Sequence, residues 1–417
     1  MGMTMAEKVL ERAGGKAPVR AGQYITAKPD LVFMGDGLAD VYTILQEANV
    51  GSIWDASKVV SLMDHAVPSP TIGLAEKYKT IRTAVRELGI ATAYGERVGI
   101  CHQALPEKGH VIPGEFILGL DSHSTTHGAF GAASTAIGYT EMAYVLKTGA
   151  LWVRVPETIK FNILGELSPR VMSKDVLLHI AGRYSVEVAQ YKAIEFTGPT
   201  ARGMSVAGRM TMSNMGVELG AKFAFFEADE KTLAFLRQRT QRPVGLFGAD
   251  ADARYESVHE VDVSALEPQV SLPHRVDNVA PISAIGNIKI DQAFLGSCTN
   301  ARTEDLEVAA GILEGRHIHR DVRMLVIPAS WEVYTEAMRK GLMEIFIRAG
   351  ALIGTPGCGP CCGTHQGILA GGERCIGSHN RNFKGRMGSN DAEVYLASPA
   401  TVAASAIEGC IADPRTY

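Results

Sequence analysis

Three cysteines stand in glycine-rich turns and are the side chains best suited to chemistry. They are Cys298 within the motif GSCTN, and Cys358 and Cys361 within the motif GCGPC. Each motif follows a run of residues typical of a strand, at 292–295 and at 351–353. We therefore expect the three thiols at strand ends, where backbone amides can also donate hydrogen bonds to sulfur.

Three thiolates are one ligand short of the number that holds a [4Fe–4S] cluster completely. The fourth iron of such a cluster would stay open to water or substrate, and an open coordination position is what Lewis-acid catalysis requires. The chain has seven cysteines in all, an odd number at irregular spacing. This argues against a disulfide framework and favours metal binding or reactive thiols. Burial as inert thiols is the common fate of residues such as Cys101, Cys375 and Cys410.

Two other kinds of site compete with a cluster. Cys358 and Cys361 form a Cys-Gly-Pro-Cys sequence, the thioredoxin-type dithiol motif, but a dithiol site leaves Cys298 unexplained. A structural zinc site needs a fourth ligand, and no second Cys-x-x-Cys motif supplies it. Cys362 and His365 are close enough in sequence to contribute, so spacing alone leaves zinc open.

Histidines and carboxylates form three further clusters at strand ends or glycine-rich turns. Asp64 and His65 are adjacent, Asp121 and His123 follow a strand-like run, and His102 lies between these two clusters in the sequence. A reaction that removes a hydroxyl group needs a proton donor, and an imidazole oriented by a carboxylate can serve. One such pair alone is more often a helix cap or a satisfied turn. Three of them together favour an active site.

A cationic loop near the C-terminus carries Asn380, Arg381 and Arg386. Guanidinium groups bind carboxylates in a bidentate manner, so this loop suits a di- or tricarboxylate substrate. By itself it would be read as a solvated basic turn. Asn214 and Glu218 are four residues apart and would share one face if their segment is helical.

The elements that must position these residues alternate between helical and strand-like patterns throughout the chain. Strands are predicted at 116–120 and 322–327, and a helix is predicted at 174–184. This alternation is typical of an α/β protein with largely parallel sheets, whose ligand sites lie beyond the carboxyl ends of the strands.

The chain is predicted to form three α/β domains. They are 1–155, with the Asp-His loops, 156–275, with Asn214 and Glu218, and 285–417, with the thiols and the arginines. The stretch 264–283 is rich in Pro, Ser and charge without a clear period, and is predicted to be a linker.

The bulk composition limits the classes of function. The 417 residues carry a formal net charge of −4 and no basic run, which gives no support to nucleic-acid binding or to an anionic membrane surface. No signal sequence or membrane-length apolar run is present, so we expect a cytoplasmic protein.

Taken together, four motifs resemble the aconitase superfamily: GSCTN, GCGPC, LDSHSTTHGAFG and NRNFKGRMGS. The resemblance covers nearly the whole chain and is strongest to the stand-alone large subunits of 3-isopropylmalate dehydratase. It implies three α/β domains around one [4Fe–4S] cluster and a hydro-lyase acting on a hydroxy-dicarboxylate. It favours the isomerisation of 2- and 3-isopropylmalate in leucine biosynthesis. A related hydro-lyase acting on citraconate, maleate, dimethylmalate or homoaconitate is the alternative. A regulatory RNA-binding relative would need a basic cleft, which the charge does not support.

The resemblance also implies residue roles. The implied cluster ligands are Cys298, Cys358 and Cys361. The implied catalytic residues are Asp64, His65, His102, Asp121, His123 and Glu218, of which the Asp64–His65 pair protonates the leaving hydroxyl. The implied contacts to the substrate, or to the cluster beside it, are Ser122, Asn214, Asn380, Arg381 and Arg386.

The chain departs from the family pattern in three places. Asp36 and Asp40 stand in an early loop where relatives often carry Gln, His or Thr, Cys362 replaces an aliphatic residue, and His379 stands where small hydroxyl residues are familiar. The swivelling domain, whose Gly-Ser-Ser-Arg loop supplies a serine base and another arginine, has no counterpart in the sequence. A separate small subunit is therefore expected to supply both.

Overall fold

The computed structural model describes residues 2–15 and 18–417, in which α-helices and strands alternate along the chain. The α-helices in these residues are α1 (Met5–Gly14), α2 (Leu38–Glu47), α3 (Ile72–Glu87), α4 (Cys101–Glu107), α5 (Tyr139–Thr148), α6 (Ser173–Tyr184), α7 (Gly198–Gly203), α8 (Val206–Asn214), α9 (Glu230–Arg237), α10 (Thr303–Leu313), α11 (Trp331–Arg339), α12 (Leu342–Ala349) and α13 (Pro399–Glu408). The strands are β1 (Tyr24–Ala27), β2 (Leu31–Met34), β3 (Val59–Ser61), β4 (Thr92–Ala93), β5 (Phe116–Gly119), β6 (Ala133–Ala136), β7 (Leu151–Arg154), β8 (Thr158–Leu164), β9 (Ala193–Thr197), β10 (Phe223–Phe225), β11 (Ser257–Asp262), β12 (Gln269–Ser271), β13 (Val279–Pro281), β14 (Gln292–Leu295), β15 (Arg323–Val326), β16 (Leu352–Ile353), β17 (Arg374–Gly377) and β18 (Glu393–Leu396).

The first large sheet is parallel and has the strand order β4-β3-β2-β5-β6. β2 and β5 are buried along their whole length, as expected for apolar strands covered on both faces. The loops that leave the carboxyl ends of β2, β3 and β5 carry Asp36, Asp64 and Asp121. The parallel arrangement therefore brings three carboxylates to one edge of the sheet.

The second sheet is also parallel and has the order β10-β9-β8-β11. In the sequence, its four strands lie between the start of β8 and the end of β11. Helix α8 packs beside this sheet. Ser205 begins α8 by accepting a hydrogen bond from the backbone N–H of Gly208, at 2.9 Å. α8 ends at Asn214 and continues into the 3-10 turn Met215–Leu219.

The third sheet has seven strands in the order β13-β12-β18-β17-β14-β15-β16. The pairs from β18 to β16 are parallel, whereas β12 and β13 form an antiparallel hairpin at one edge. The prediction of a linker at 264–283 is therefore wrong. The hairpin strands have three residues each, too few for a periodic pattern, and they gain their stability by pairing with the sheet and burying Val270.

The predicted elements agree with these assignments. The strand predicted at 116–120 is confirmed as β5, that at 322–327 as β15, and the helix at 174–184 as α6. The protein has an α/β fold with largely parallel sheets, and each large sheet takes its strands from one stretch of the sequence. The exact domain limits stay a prediction. No helix in residues 2–15 and 18–417 is long and apolar enough to cross a membrane.

Candidate active site

The three cysteines lie in loops at the carboxyl ends of two strands of the third sheet, which are separated by β15. Cys298 follows β14, while Cys358 and Cys361 follow β16. On the other side of β14, β17 leads into the loop with His379 and Asn380. All three thiols are free and buried. The sheet order thus brings together three sulfurs that are separated in the sequence.

Amide and guanidinium groups surround two of these sulfurs. The Nδ2 groups of Asn214 and Asn380 donate hydrogen bonds to the Cys298 sulfur, at 3.2 and 3.3 Å. The guanidinium of Arg386 lies 3.9 Å from the Cys361 sulfur. Donors of this kind stabilise a thiolate relative to a thiol.

Two of the three thiols hold their protons in the metal-free protein. Burial raises the pKa of Cys298 to about 11. Hydrogen bonds with Cys361 and Cys362 raise the pKa of Cys358 well above its usual range, and the bond with Cys358 lowers the pKa of Cys361 well below it. A metal centre that binds Cys298 and Cys358 must displace their protons, so its binding would release protons.

The set of three ligand atoms found within 4.8 Å of one another in residues 2–15 and 18–417 belongs to Asp36, Asp64 and His65. The three cysteines do not form such a compact set, although Cys358 and Cys361 contact each other. With Zn–S bonds of about 2.3 Å, all the sulfurs of one tetrahedral zinc would lie about 3.8 Å apart. His365, a candidate zinc ligand from the sequence, instead forms a 3.1 Å hydrogen bond with the carbonyl of Pro68.

His65 lies between two carboxylates. Its Nδ1 is 2.9 Å from Oδ1 of Asp64, and its Nε2 is 3.2 Å from Oδ2 of Asp121. The second oxygen of Asp64 accepts a 2.9 Å hydrogen bond from the backbone N–H of Cys101. The loops after β3 and β5 and the start of α4 therefore fix both the imidazole and its fully buried partner Asp64.

These contacts determine the charge of His65. Burial alone would lower its pKa, but the carboxylates of Asp64 and Asp121 hold the pKa well above its usual range. Burial would raise the pKa of the Asp64 and Asp121 carboxyl groups. The histidines that contact them nevertheless keep the pKa of Asp64 below its ordinary value and that of Asp121 well below it. His65 is therefore an imidazolium at neutral pH, with a proton available at each ring nitrogen.

Asp121 also joins a second histidine cluster. Its Oδ1 accepts hydrogen bonds from Nε2 of His102, at 2.6 Å, and from the backbone N–H of His123, at 2.8 Å. The ring of His123 is 2.8 Å from Oε1 of Glu218. Hydrogen bonds outweigh burial at both of these groups, so the pKa of His123 is raised and that of Glu218 is lowered.

Arg381 closes this network. It donates hydrogen bonds to Glu218, at 2.7 Å, and to the hydroxyl of Ser122, at 3.1 Å. Asn214 and Glu218 were expected to share a helix face, but Asn214 is the last residue of α8 and Glu218 lies in the 3-10 turn that follows. They consequently reach different partners, Asn214 a cysteine sulfur and Glu218 the histidine and the arginine.

The structure thus brings together all of the residues predicted for the site, in two adjoining groups. One surrounds the thiols: Cys298, Cys358, Cys361, Asn214, Asn380 and Arg386. The other surrounds Asp121: Asp64, His65, His102, Ser122, His123, Glu218 and Arg381. A cavity of about 320 Å³ opens beside His65 and Asp121, with Leu74, Leu120 and Tyr139 among its lining residues. Its size suits a small ligand.

Several buried polar groups near the site were not predicted from the sequence. Lys174 is fully buried in α6 and donates a 2.8 Å hydrogen bond to the carbonyl of Ser378. Arg302 is buried and donates to the carbonyl of Cys298, at 2.7 Å. The position of Arg302 directly after the GSCTN motif was the feature of the sequence that could have indicated this role. Tyr78 donates to the carboxylate of Asp36, at 2.9 Å, which ties the early loop to α3.

Comparison with known proteins agrees with this geometry. The Aconitase family (aconitate hydratase) matches residues 24–409. The chain is 51% identical to the 3-isopropylmalate dehydratase large subunit 1 of Methanopyrus kandleri, covering 100% of both chains. It is 50% identical to a probable 3-isopropylmalate dehydratase large subunit of Methanothermobacter thermautotrophicus, covering 99% of both. It is also 48% identical to a probable methanogen homoaconitase large subunit of that organism, covering 99% of this chain and 98% of the relative.

Proposed function

The chain belongs to the aconitase family, and we propose that it is the large subunit of a 3-isopropylmalate dehydratase. This hydro-lyase would interconvert 2- and 3-isopropylmalate by removing and re-adding water, a step in leucine biosynthesis. The observation that carries the proposal is the convergence of three buried thiols with a histidine held between two carboxylates.

Cys298, Cys358 and Cys361 would hold a [4Fe–4S] cluster, one per large subunit. Their burial and the amide donors directed at the Cys298 sulfur fit a cluster. When bound, such a cluster supplies an iron with an open coordination position, which acts as a Lewis acid toward a carboxylate and a hydroxyl. Buried thiols also suit a CGPC redox dithiol poorly, because reactive thiols are partly exposed.

His65 would act as the general acid. Asp64 fixes the ring through Nδ1, while Nε2 makes the longer contact, 3.2 Å, with Asp121 beside the cavity. The Nε2 proton is therefore the one placed to pass to a departing hydroxyl group. Asp121 orients His65 and His102 together, so both imidazoles keep fixed positions beside the substrate.

Arg381 and Arg386 would bind the substrate carboxylates, with Ser122 as a neighbouring hydrogen-bond donor. Glu218 neutralises part of the charge of Arg381 and holds its guanidinium in place. Arg386 has a buried Nε without a partner in the described part of the chain, so it retains hydrogen-bonding capacity for an anion.

The base that removes the proton from carbon would come from a separate small subunit, together with another arginine. The similar proteins are described as large subunits, which supports such a partner. The chain described here would therefore hold the cluster and the acid, and the complete active site would form between the two subunits, in the cytoplasm.

A homoaconitase function is the second candidate, because one relative with that name is almost as similar as the isopropylmalate enzymes. Homoaconitate has a third carboxylate where isopropylmalate has an apolar group. Lys77 also lines the cavity, but it is paired with Asp40 at 2.8 Å. The apolar side chains of Leu74 and Leu120 beside it favour the apolar group. Citraconate, maleate and dimethylmalate are smaller candidates of the same chemical class.

The test is to reconstitute the complex without oxygen and to measure kcat/KM for isopropylmalate, citramalate and homoaconitate side by side. An isopropyl pocket loses about 1–3 kcal/mol of transition-state binding for each missing methyl-sized group. We therefore expect isopropylmalate to be favoured over citramalate by about tenfold or more. An equal or reversed preference would contradict the assignment to leucine biosynthesis and leave the hydro-lyase reaction intact.

A further inference from the structure

His379 is a fully buried histidine beside the cysteine site that has no use in the mechanism above. Neither ring nitrogen has a hydrogen-bond partner in residues 2–15 and 18–417. The backbone of Arg381 makes a weak hydrogen-bonding contact with the ring that falls short of a full hydrogen bond. Buried imidazole nitrogens are almost always paired, so this ring needs a partner that the polypeptide does not supply.

The position of the ring is well defined. It packs against Phe294, with the ring centroids 5.5 Å apart. Lys174 donates a hydrogen bond to the backbone carbonyl of His379, and Gly296 donates one to the side chain of the preceding Ser378, which fixes the loop after β17. The loop therefore cannot turn the imidazole outward to water without breaking buried contacts.

The glycine before this loop makes room for the imidazole. A Cβ atom at Gly377 would lie only 2.4 Å from Nδ1 of His379. Any other residue at 377 would therefore crowd the ring. The glycine at 377 and the histidine at 379 therefore depend on each other.

The ring lies beside the loops that carry the cysteines. Phe294, against which His379 packs, has ring carbons 3.3 Å from the position that a Cβ atom would take at Gly359 in the GCGPC motif. Asn380, the residue after His379, donates a hydrogen bond to the Cys298 sulfur. The loop after β17 therefore places the imidazole next to both cysteine loops.

We infer that one ring N–H of His379 donates a hydrogen bond to a sulfur atom of the bound iron–sulfur cluster. The inference rests on the proposed function, because it needs the cluster. A hydrogen bond to sulfur withdraws electron density from the cluster and raises its reduction potential. His379 is therefore a tuning residue of the cluster.

The test compares three substitutions in the anaerobically reconstituted full-length chain. His379→Leu removes both nitrogens at similar bulk. His379→Gln keeps an N–H near the position of Nε2, and His379→Asn keeps one near Nδ1. The readouts are the reduction potential of the cluster and the magnetic coupling of exchangeable protons and of ¹⁵N-labelled histidine to the reduced cluster.

We expect the Leu variant to retain the cluster, to have a more negative potential and to lose one exchangeable-proton coupling and one ¹⁵N coupling. One of the two amide variants should keep the proton coupling and the potential, which identifies the donating nitrogen. His127→Leu is the matched control, because His127 is also fully buried with an unpartnered Nε2, and its neighbours are Phe33 and His102. It should leave the potential unchanged.

A wild-type potential and an undiminished coupling in the Leu variant would overturn the inference, as would loss of the cluster from all three variants, which would make His379 structural. Failure of the wild-type chain to take up a cluster would instead overturn the proposed function.

The metal-free proteins give a second readout. Because the ring lacks a partner without the cluster, the Leu substitution should not lower the melting temperature of the apoprotein. The same substitution should reduce the gain in melting temperature on cluster binding. If His379 had only a packing role, its loss would lower the melting temperatures of the apoprotein and the cluster-bound protein equally.

Discussion

Replacing His65 by asparagine tests the catalytic role of this residue separately from its role in the structure of the site. The amide Nδ2 of asparagine lies near the position of Nδ1, so it can still donate to Asp64. The proton at Nε2, which faces Asp121 at 3.2 Å, is lost. Asp121 keeps hydrogen bonds from His102 and from the backbone of His123, and is therefore not left unpaired.

The expected magnitudes follow from these contacts. Loss of a general acid lowers kcat by about two to four orders of magnitude, which corresponds to about 2.7–5.5 kcal/mol of barrier. The cost in stability is limited to one hydrogen bond between charged groups, about 1.5–3 kcal/mol. KM should change little, because Arg381 and Ser122 do not contact His65. The iron content should stay the same, since no hydrogen bond of His65 reaches a cysteine sulfur.

The assay is steady-state dehydration by the reconstituted complex, with iron and sulfide measured on the same sample. His319→Asn is the control, because His319 is a partly exposed histidine that lies 3.9 Å from a carboxylate of its own, on Asp321. A decrease in kcat of less than about tenfold in His65→Asn would refute the assignment of the acid. Loss of the cluster together with activity would mark His65 as structural.

Three further predictions concern the cluster, the partner and pH. Cys298→Ser should abolish iron binding, whereas Cys362→Ser should retain it; the reverse result would refute the ligand assignment. The large subunit alone should turn over poorly and a small subunit should restore activity; full activity of the pure chain would contradict the divided site. Because the folded-state pKa of His65 is raised, its stabilisation is complete below about pH 6.5 and is lost as pH rises through the folded-state pKa. In urea unfolding of the apoproteins, the difference between wild type and His65→Asn should therefore shrink as the pH is raised, and a difference that grows would contradict the sign.

The sequence allowed the thiol loops and the main strands to be predicted because each motif follows a buried apolar run. β14 and β5 are such runs, and the residues that follow them lie at strand ends in the structure, as expected. The parallel sheets then bring loops that are distant in the sequence to one edge of a sheet. Because this follows from the topology, a search for motifs can expect such loops to lie together.

Other features depended on tertiary contacts. The hairpin of β12 and β13 has strands too short for a periodic signal and was mistaken for a linker. Lys174 reads as an exposed residue of an amphipathic helix, yet α6 packs it beneath the loop after β17. The separation of Asn214 and Glu218 depends on a change from α-helix to 3-10 turn, for which their spacing gives no indication.

The iron and acid-labile sulfide content of the anaerobically reconstituted chain tests the central claim most directly. If Cys298, Cys358 and Cys361 hold a cluster with one open iron, the brown protein should contain about four irons and four sulfides per chain. Brief exposure to air should remove about one iron first, because that iron has no thiolate ligand. One zinc per chain without sulfide, or a metal-free protein whose Cys358 and Cys361 cycle as a dithiol, would contradict the account.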